Sequence, residues 1–313
     1  MVDNILVYCQ GGRGDVLNAE PSIRYAIEKV FVASEKIAVI TEMPELFEHL
    51  QSTQVSIHDK KSLKNLDAFL GYNVLCTFEH SKRPVHGLNQ PLMHGVDFAS
   101  LHMLGYLLPI KDRRCKTQSV SPDEVKLISA AFSAVGLDPT QTLLLHPGNT
   151  WETRTIPQEW WDAFISHYKY PVCAFGSSSL RSIGDDGIFN GTTPLPDIPS
   201  LVDKLTIRGS IVAASLCWGM LTNDSFPVHV AGLFNNFLFT FSTTKHWEAL
   251  KPYGHKRSYN FAREVFSPTW YTAVGHMHNF DKFPEEGSKN LMDYLDPPEK
   301  VAEFIMQKFE AYA

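Results

Sequence analysis

Short apolar runs alternating with amphipathic stretches, twice over, constrain this chain more than any other feature. Ile5-Leu6-Val7-Tyr8 reads as a strand, and Gly11-Gly12-Arg13-Gly14 follows it as a glycine-rich turn. Apolar residues at Val16, Ile23, Ile27, Val30 and Phe31 then fit one helical face. Pro21 lies inside that stripe, so the helix is either kinked there or begins in earnest near Glu20. Residues 37–40 predict a second strand, 43–50 a second helix, and 55–58 and 74–77 further strands. Strands alternating with helices imply right-handed crossovers and a parallel sheet, hence an α/β fold.

The rhythm restarts after a helix over 123–135 that stops at Gly136. A buried strand is predicted over 140–146, then the loop Pro147-Gly148-Asn149-Thr150, then a helix over 156–168. Thr155 with Gln158 matches a capping box, and Pro157 suits the first turn. A strand over 172–175, a short helix over 197–205, the run 216–222 into Asn223-Asp224-Ser225, a helix to 233 and a strand over 237–241 complete the series. Periodicity fades over 243–295, and Val301, Phe304, Ile305 and Phe309 after Pro297-Pro298 mark a final amphipathic helix. Two domains are expected, 1–135 and 136–313, sharing architecture but no sequence period.

Composition narrows the class. The 313 residues are 44% hydrophobic and 20% charged, which excludes disordered, collagenous and coiled-coil chains. No apolar run approaches the ~18–20 residues that span a bilayer. The sequence opens on a strand-like segment with no basic region before it, so no signal peptide is expected, and the protein reads as cytoplasmic. Cys9, Cys76, Cys115, Cys173 and Cys217 stand singly, mostly in apolar runs, as reduced buried thiols would. A net charge of -6 argues against a broad nucleic-acid surface, so any positive potential must be local.

Three of four polar clusters lie just after predicted strands, the edge where ligands bind in parallel α/β sheets. In Gly14-Asp15-Val16-Leu17, Asp15 is either a helix cap or a carboxylate acting as general base toward a hydroxyl. In the segment from His146 through Gly148, Asn149 and Thr150 to Arg154, the arginine is either a solvated surface residue or a bidentate phosphate clamp. Asn223-Asp224-Ser225-Phe226-Pro227-Val228-His229 offers short polar groups at the opening of a helix; the alternatives are Asp224 or Ser225 as caps and His229 as a core histidine. The fourth cluster, His246, His255, His276 and His278, lacks a carboxylate or cysteine at ligand spacing, so no metal site is expected. Neither G-x-S-x-G nor G-x-x-x-x-G-K-[ST] occurs, which removes a serine-hydrolase elbow and a P-loop.

Taken in order, these clusters resemble glycosyltransferase family 9, the heptosyltransferase-like enzymes. Gly14-Asp15-Val16-Leu17 is similar to the family's G-D-V-L, with Pro21 four residues on. His94-Gly95-Val96-Asp97 is similar to its H-x-x-D segment, and Asn223 to Ala231 to its N-D-S-G-P-x-H-x-A. Arg154-Thr155-Ile156-Pro157 takes the place of Lys-x-Trp-Pro. Three departures stand out: Phe226 replaces a glycine, Arg154 a lysine, and no tryptophan precedes Pro157.

The resemblance implies a GT-B fold: two Rossmann-like domains facing a central cleft, with the C-terminal helix packing back on the N-terminal domain. It implies an inverting transferase that needs no cofactor beyond a nucleotide-sugar co-substrate. The donor would bind the C-terminal domain through Gly148, Asn149, Thr150, Arg154, Asn223, Asp224, Ser225 and His229, with Gly14 also near it. Asp15 would deprotonate an acceptor hydroxyl on the N-terminal domain, the acceptor being a bacterial surface saccharide. Two alternatives remain. One is transfer to a modified base in DNA, with Lys60, Lys61, Lys64, Lys82, Arg83, Lys111, Arg113 and Arg114 as phosphate contacts. The other is a non-catalytic nucleotide-sugar-binding protein, for which Phe226 speaks.

Overall fold

The computed structural model describes residues 4–79, 93–149, 151–178, 181–182, 188–189, 191–265, 283–284 and 287–312. The chain divides into two compact units, Met1–Ser119 and Val120–Ala313. The division precedes the 135/136 boundary because the helix between them belongs to the second unit.

The first unit is a four-stranded parallel sheet of order β3-β2-β1-β4, from β1 (Ile5–Gln10), β2 (Ile37–Thr41), β3 (Val55–Asp59) and β4 (Asn73–Glu79). Val7, Ile37 and Val39 of the strands and Leu17 and Ile23 of α1 (Arg13–Tyr25) are buried, and Leu6, Ala38, Ile40 and Phe69 form a separate apolar cluster. That helix does not begin near Glu20; it starts at Arg13 and runs through Pro21 into a π-type turn, Ala26–Val30. Proline lacks the N–H that would reach the Leu17 carbonyl four residues back. The Cys115 thiol supplies a donor there instead, its Sγ 3.4 Å from that oxygen. Helix α2 (Gly95–Leu104) lies so close to α1 that a side chain at Gly95 would collide with Asn18. The helix expected over 43–50 is instead two 3₁₀ turns, Pro44–Leu46 and Glu48–Leu50. Its eight residues are too few to nucleate a helix without strong packing.

A buried polar cluster latches the segment after α2 onto α1. Glu20, with no exposed surface, accepts from Arg24 Nε at 2.8 Å and the Lys116 backbone N–H at 2.9 Å, and pairs with His49 Nε2 at 2.9 Å. Arg24 Nη2 in turn donates to the Arg114 carbonyl at 2.9 Å.

The second unit holds a five-stranded parallel sheet of order β11-β10-β9-β5-β6: β5 (Leu143–His146), β6 (Val172–Ala174), β9 (Gly219–Asn223), β10 (Phe237–Phe241) and β11 (Ser258–Asn260). A short antiparallel pair, β7 (Arg181–Ser182) and β8 (Ile188–Phe189), interrupts the series. The helices are α3 (Pro122–Ser133), α4 (Gln158–His167), α5 (Ile207–Leu216), α6 (Phe226–Ala231), α7 (Trp247–Leu250) and α8 (Pro298–Glu310). Helix α5 and strand β11 are absent from the sequence reading, and the helix expected over 197–205 is irregular, with Asp203 at φ 60°.

The capping box expected at Thr155 is not formed: α4 starts after Pro157, and the Thr155 hydroxyl donates to the Trp151 carbonyl at 2.8 Å. A capping box occurs instead at α3, between Ser121 and Glu124. Glu124 also receives Arg208 of α5 in a fork, Nε to Oε1 at 2.7 Å and Nη2 to Oε2 at 3.0 Å. The apolar face of the C-terminal helix packs within the second unit. Val301, Ala302, Ile305 and Phe309 of α8 are buried in the core of the second unit with Trp160, Trp161 and Phe164 of α4. Trp160 Nε1 also donates to the Asp296 carbonyl at 3.0 Å, fixing the approach to α8.

The Arg208 fork, followed by the Ser121 backbone N–H, holds the Glu124 carboxyl down at about 2, against 4.5 for an unperturbed glutamate. A depressed carboxyl stabilises the fold above its unfolded value and loses that contribution as pH falls toward its folded value. The pair is partly solvated, so screening limits it to about 0.5–1 kcal/mol. Glu124→Gln should therefore lower the melting temperature at pH 7 by about 1–4 °C. The gap to wild type should close as pH drops below 4.5; a gap that stays constant on acidification would contradict the assignment.

Candidate functional site

In the first unit the carboxyl end of β1 leads through Gly11, at φ 151°, and extended Gly12 into α1. Gly12 is the N-cap, without a side-chain bond, so the capping role open to Asp15 is not the one it takes. Gly14 and Asp15 lie in the first turn, both half-buried. The Asp15 carboxylate turns back toward the glycines, Oδ2 lying 3.1 Å from where a β-carbon on Gly12 would stand. It also reaches Cys9: burial first, and the Asp15 charge second, push that thiol well above its ordinary range. An acidic side chain at the carboxyl edge of a parallel sheet is placed to meet a ligand there.

In the second unit, β5 and β9 are neighbours, and the residues following them converge. Asn223, the last residue of β9, is fully buried; its amide nitrogen donates to the Gly148 carbonyl and the Arg154 carbonyl, both at 2.9 Å. The Arg154 guanidinium stacks on the Trp151 ring at 3.5 Å, donates from Nη1 to the Asp224 carbonyl at 2.5 Å, and lies 3.6 Å from Asp224 Oδ2. Asp224 is 4% exposed. Burial opposes its ionisation, but Arg154, Lys245, His229 and the Thr244 hydroxyl at 3.0 Å together hold its carboxyl below the usual aspartate range. One carboxylate thus faces two permanent cations, Arg154 and Lys245, with the His229 ring beside them, so positive charge exceeds negative among these groups.

Ser225 precedes α6 and makes no capping bond with its side chain; its Oγ lies 3.1 Å from His146 Nδ1, and Thr222 Oγ1 lies 3.5 Å from the same nitrogen. His146 ends β5 and packs edge-on against Phe175. Asn149 is half-buried, its N–H donating to the Gly191 carbonyl at 2.9 Å. Phe226, half-buried, opens α6 where the resemblance has glycine. Thr150, Lys82, Arg83, His276 and His278 lie outside the described residues, as does the Cys76 side chain. Lys60 is 3.4 Å from Glu42, and Arg113 3.1 Å from Asp97, so two cations offered as DNA contacts already have acidic partners. Among the described residues no cluster of three or more His, Cys, Asp or Glu is placed to hold a metal, and no helix is long and apolar enough to cross a membrane.

The polar set at the second sheet thus contains Gly148, Asn149, Arg154, Asn223, Asp224, Ser225 and His229 together. His146, Thr244 and Lys245 were not singled out for roles from sequence. The last two follow β10 as Thr243-Thr244-Lys245, the same short-polar-after-strand pattern that marks the other clusters.

No protein-family model matches the chain, and no curated protein matches it. Solved structures do. A family 9 glycosyl transferase from Veillonella parvula DSM 2008 aligns with TM-score 0.68 and 13% identity, covering 99% of this chain and 98% of that one. The chain has the GT-B fold of the family 9 glycosyltransferases. The E. coli ADP-heptose lipopolysaccharide heptosyltransferase II aligns over 99% of both chains with TM-score 0.58 and 14% identity. The dodecameric iron-containing heptosyltransferase TibC, solved with ADP-D-beta-D-heptose, aligns at TM-score 0.65 and 10% identity over 99% of this chain and 78% of its own. On this GT-B scaffold the Asp15 turn and the Arg154 corner each lie at the carboxyl edge of their own unit's sheet.

Proposed function

We propose that the chain is an inverting glycosyltransferase that moves a sugar from a nucleoside-diphosphate donor to an acceptor hydroxyl. Its single strongest support is the Arg154 corner: a guanidinium seated on Trp151 and steered by Asp224 at the carboxyl edge of a parallel sheet. Such a group is suited to a diphosphate because its charge and N–H fork match phosphate oxygens as they gain charge on departure. In this scheme the second unit holds the donor through Arg154, the backbone N–H groups around Asp224 and Ser225, Asn149 and the Thr150 segment. Gly148 lets the backbone come close, and His229 helps orient Asp224. Asp15 of the first unit takes the acceptor proton as its oxygen attacks the anomeric carbon, and the sugar–phosphate bond breaks with inversion. No step requires a metal or cofactor beyond the co-substrate. The acceptor we favour is a bacterial surface saccharide, by analogy with the heptosyltransferases of the same fold.

The test is a panel of nucleotide sugars offered to the purified chain, with release of free nucleoside diphosphate as the readout. Release from one donor, even by slow hydrolysis, supports transfer. Binding without release would support the non-catalytic reading that Phe226 favours, and neither binding nor release would overturn both. Arg154→Ala should raise the dissociation constant for the matching nucleoside diphosphate about 10- to 100-fold, the value of a charge-assisted contact. Unchanged affinity in calorimetric titration would remove Arg154 from the donor site.

A further inference from the structure

We infer that Asn223 is a positioning residue whose carboxamide clasps both ends of the 148–154 loop and thereby aims the Arg154 guanidinium at the donor diphosphate; this rests on the donor reading above. Asn223 has no exposed surface, so it does not meet a ligand itself. Its two amide hydrogens go one to each end of the loop, to the carbonyls of Gly148 and Arg154, both at 2.9 Å. A carboxamide is the smallest side chain with two donors at the spacing this closure needs. The glycine at 148 has the same origin. A β-carbon there would stand 2.5 Å from Asn223 Oδ1 and 2.8 Å from Nδ2, so glycine is required by the amide pressed against it.

At the other end of the amide, Asn223 Oδ1 is buried and has no hydrogen-bond partner among the described residues. An unmet buried acceptor costs free energy, which the two donated bonds have to offset. What the clasp does provide is a fixed root for Arg154. The guanidinium ends a long side chain with several rotatable bonds, and its seat on Trp151 and the Asp224 carbonyl has meaning only if the backbone at 154 is held. Asn223 is also adjacent in sequence to Asp224, so one strand end fixes both the root of the arginine and the group that steers its tip.

The experiment is a double-mutant cycle read by calorimetric binding of ADP, UDP, GDP and CDP, using whichever the wild type binds. Asn223→Ala should weaken that binding roughly 10- to 100-fold, the penalty for a clamp displaced by about an ångström. In an Arg154→Ala background the same change should cost no more than about 2-fold, because the residue acts through the arginine. Equal losses in both backgrounds would mark Asn223 as an ordinary structural residue and overturn the inference while leaving the donor reading intact. So would full affinity in Asn223→Ala. If the wild type binds none of the four, the donor reading itself fails, and the inference with it. Should Asn223→Ala not fold, Gly148→Ala displaces the same amide from the opposite side and must show the same dependence on Arg154.

Discussion

Asp15→Asn should lower turnover about 10²- to 10⁴-fold while leaving nucleoside-diphosphate affinity within about 2-fold of wild type, once the donor has been identified. The substitution keeps the shape of the side chain and removes its basicity, so what it measures is proton transfer. Two features of the first unit make the position suited to that role. Gly11 and Gly12 carry the chain from β1 into α1 without side chains of their own, leaving the carboxylate at the sheet's edge half-exposed. Gly12 caps the helix by backbone alone, so Asp15 is not consumed as the N-cap. A general base must reach a hydroxyl, and a half-exposed carboxylate at the sheet's edge is placed to do so. Loss of affinity together with turnover would instead mean that Asp15 shapes the donor site. Turnover near wild type would end its candidacy as the base.

The parallel sheets were legible because buried strands announce themselves as uninterrupted apolar runs. Residues 37–40 and 237–241 needed no context to be read as strands, and both are. What escaped were elements whose pattern is weak or misleading. Helix α5 is dominated by small and β-branched residues, Gly-Ser-Ile-Val-Ala-Ala-Ser, with little polar contrast between its faces, so its period is faint although it is buried on most of its surface. Pro21 argued for a kink or for a start near Glu20; the helix starts at Arg13, and the carbonyl orphaned by the proline meets a thiol 98 residues away in sequence. No local reading finds that partner.

At the site, the short polar residues after strands were visible as clusters, but their division of labour was not. Asn223, Asp224 and Ser225 look alike on the page. In the fold Asn223 faces inward onto two carbonyls, Asp224 faces Arg154 and Thr244, and Ser225 faces His146. Their places in the chain differ: Asn223 is the last residue of β9, Asp224 lies in the turn after it, and Ser225 is the residue before α6. Lys245 acts on Asp224 only because β10 lies beside β9, a sheet order that crossover connections set and the sequence does not print.

Glu20→Ala should unfold the first unit at conditions where the second remains intact. Glu20 is fully buried with Arg24 Nε, His49 Nε2 and the Lys116 N–H converging on its two oxygens. Removing it leaves a guanidinium inside the unit with its charge uncompensated, a loss that typically costs about 3–5 kcal/mol. Against a total stability of about 5–15 kcal/mol for a domain, that is a large fraction. It also releases the backbone at Lys116, loosening the segment whose Cys115 thiol serves the Leu17 carbonyl. Glu20→Gln should cost less, since its amide oxygen still accepts from one of these donors while the charge is lost. The six tryptophans, from Trp151 to Trp270, all belong to the second unit, so their fluorescence reports that unit alone while far-ultraviolet circular dichroism reports both. In a urea titration of Glu20→Ala the dichroism should fall in two steps, the first shifted to lower urea, with the tryptophan transition where wild type has it. If both signals keep the wild-type midpoint, the Glu20 cluster is not what holds α1 and the 112–116 segment together.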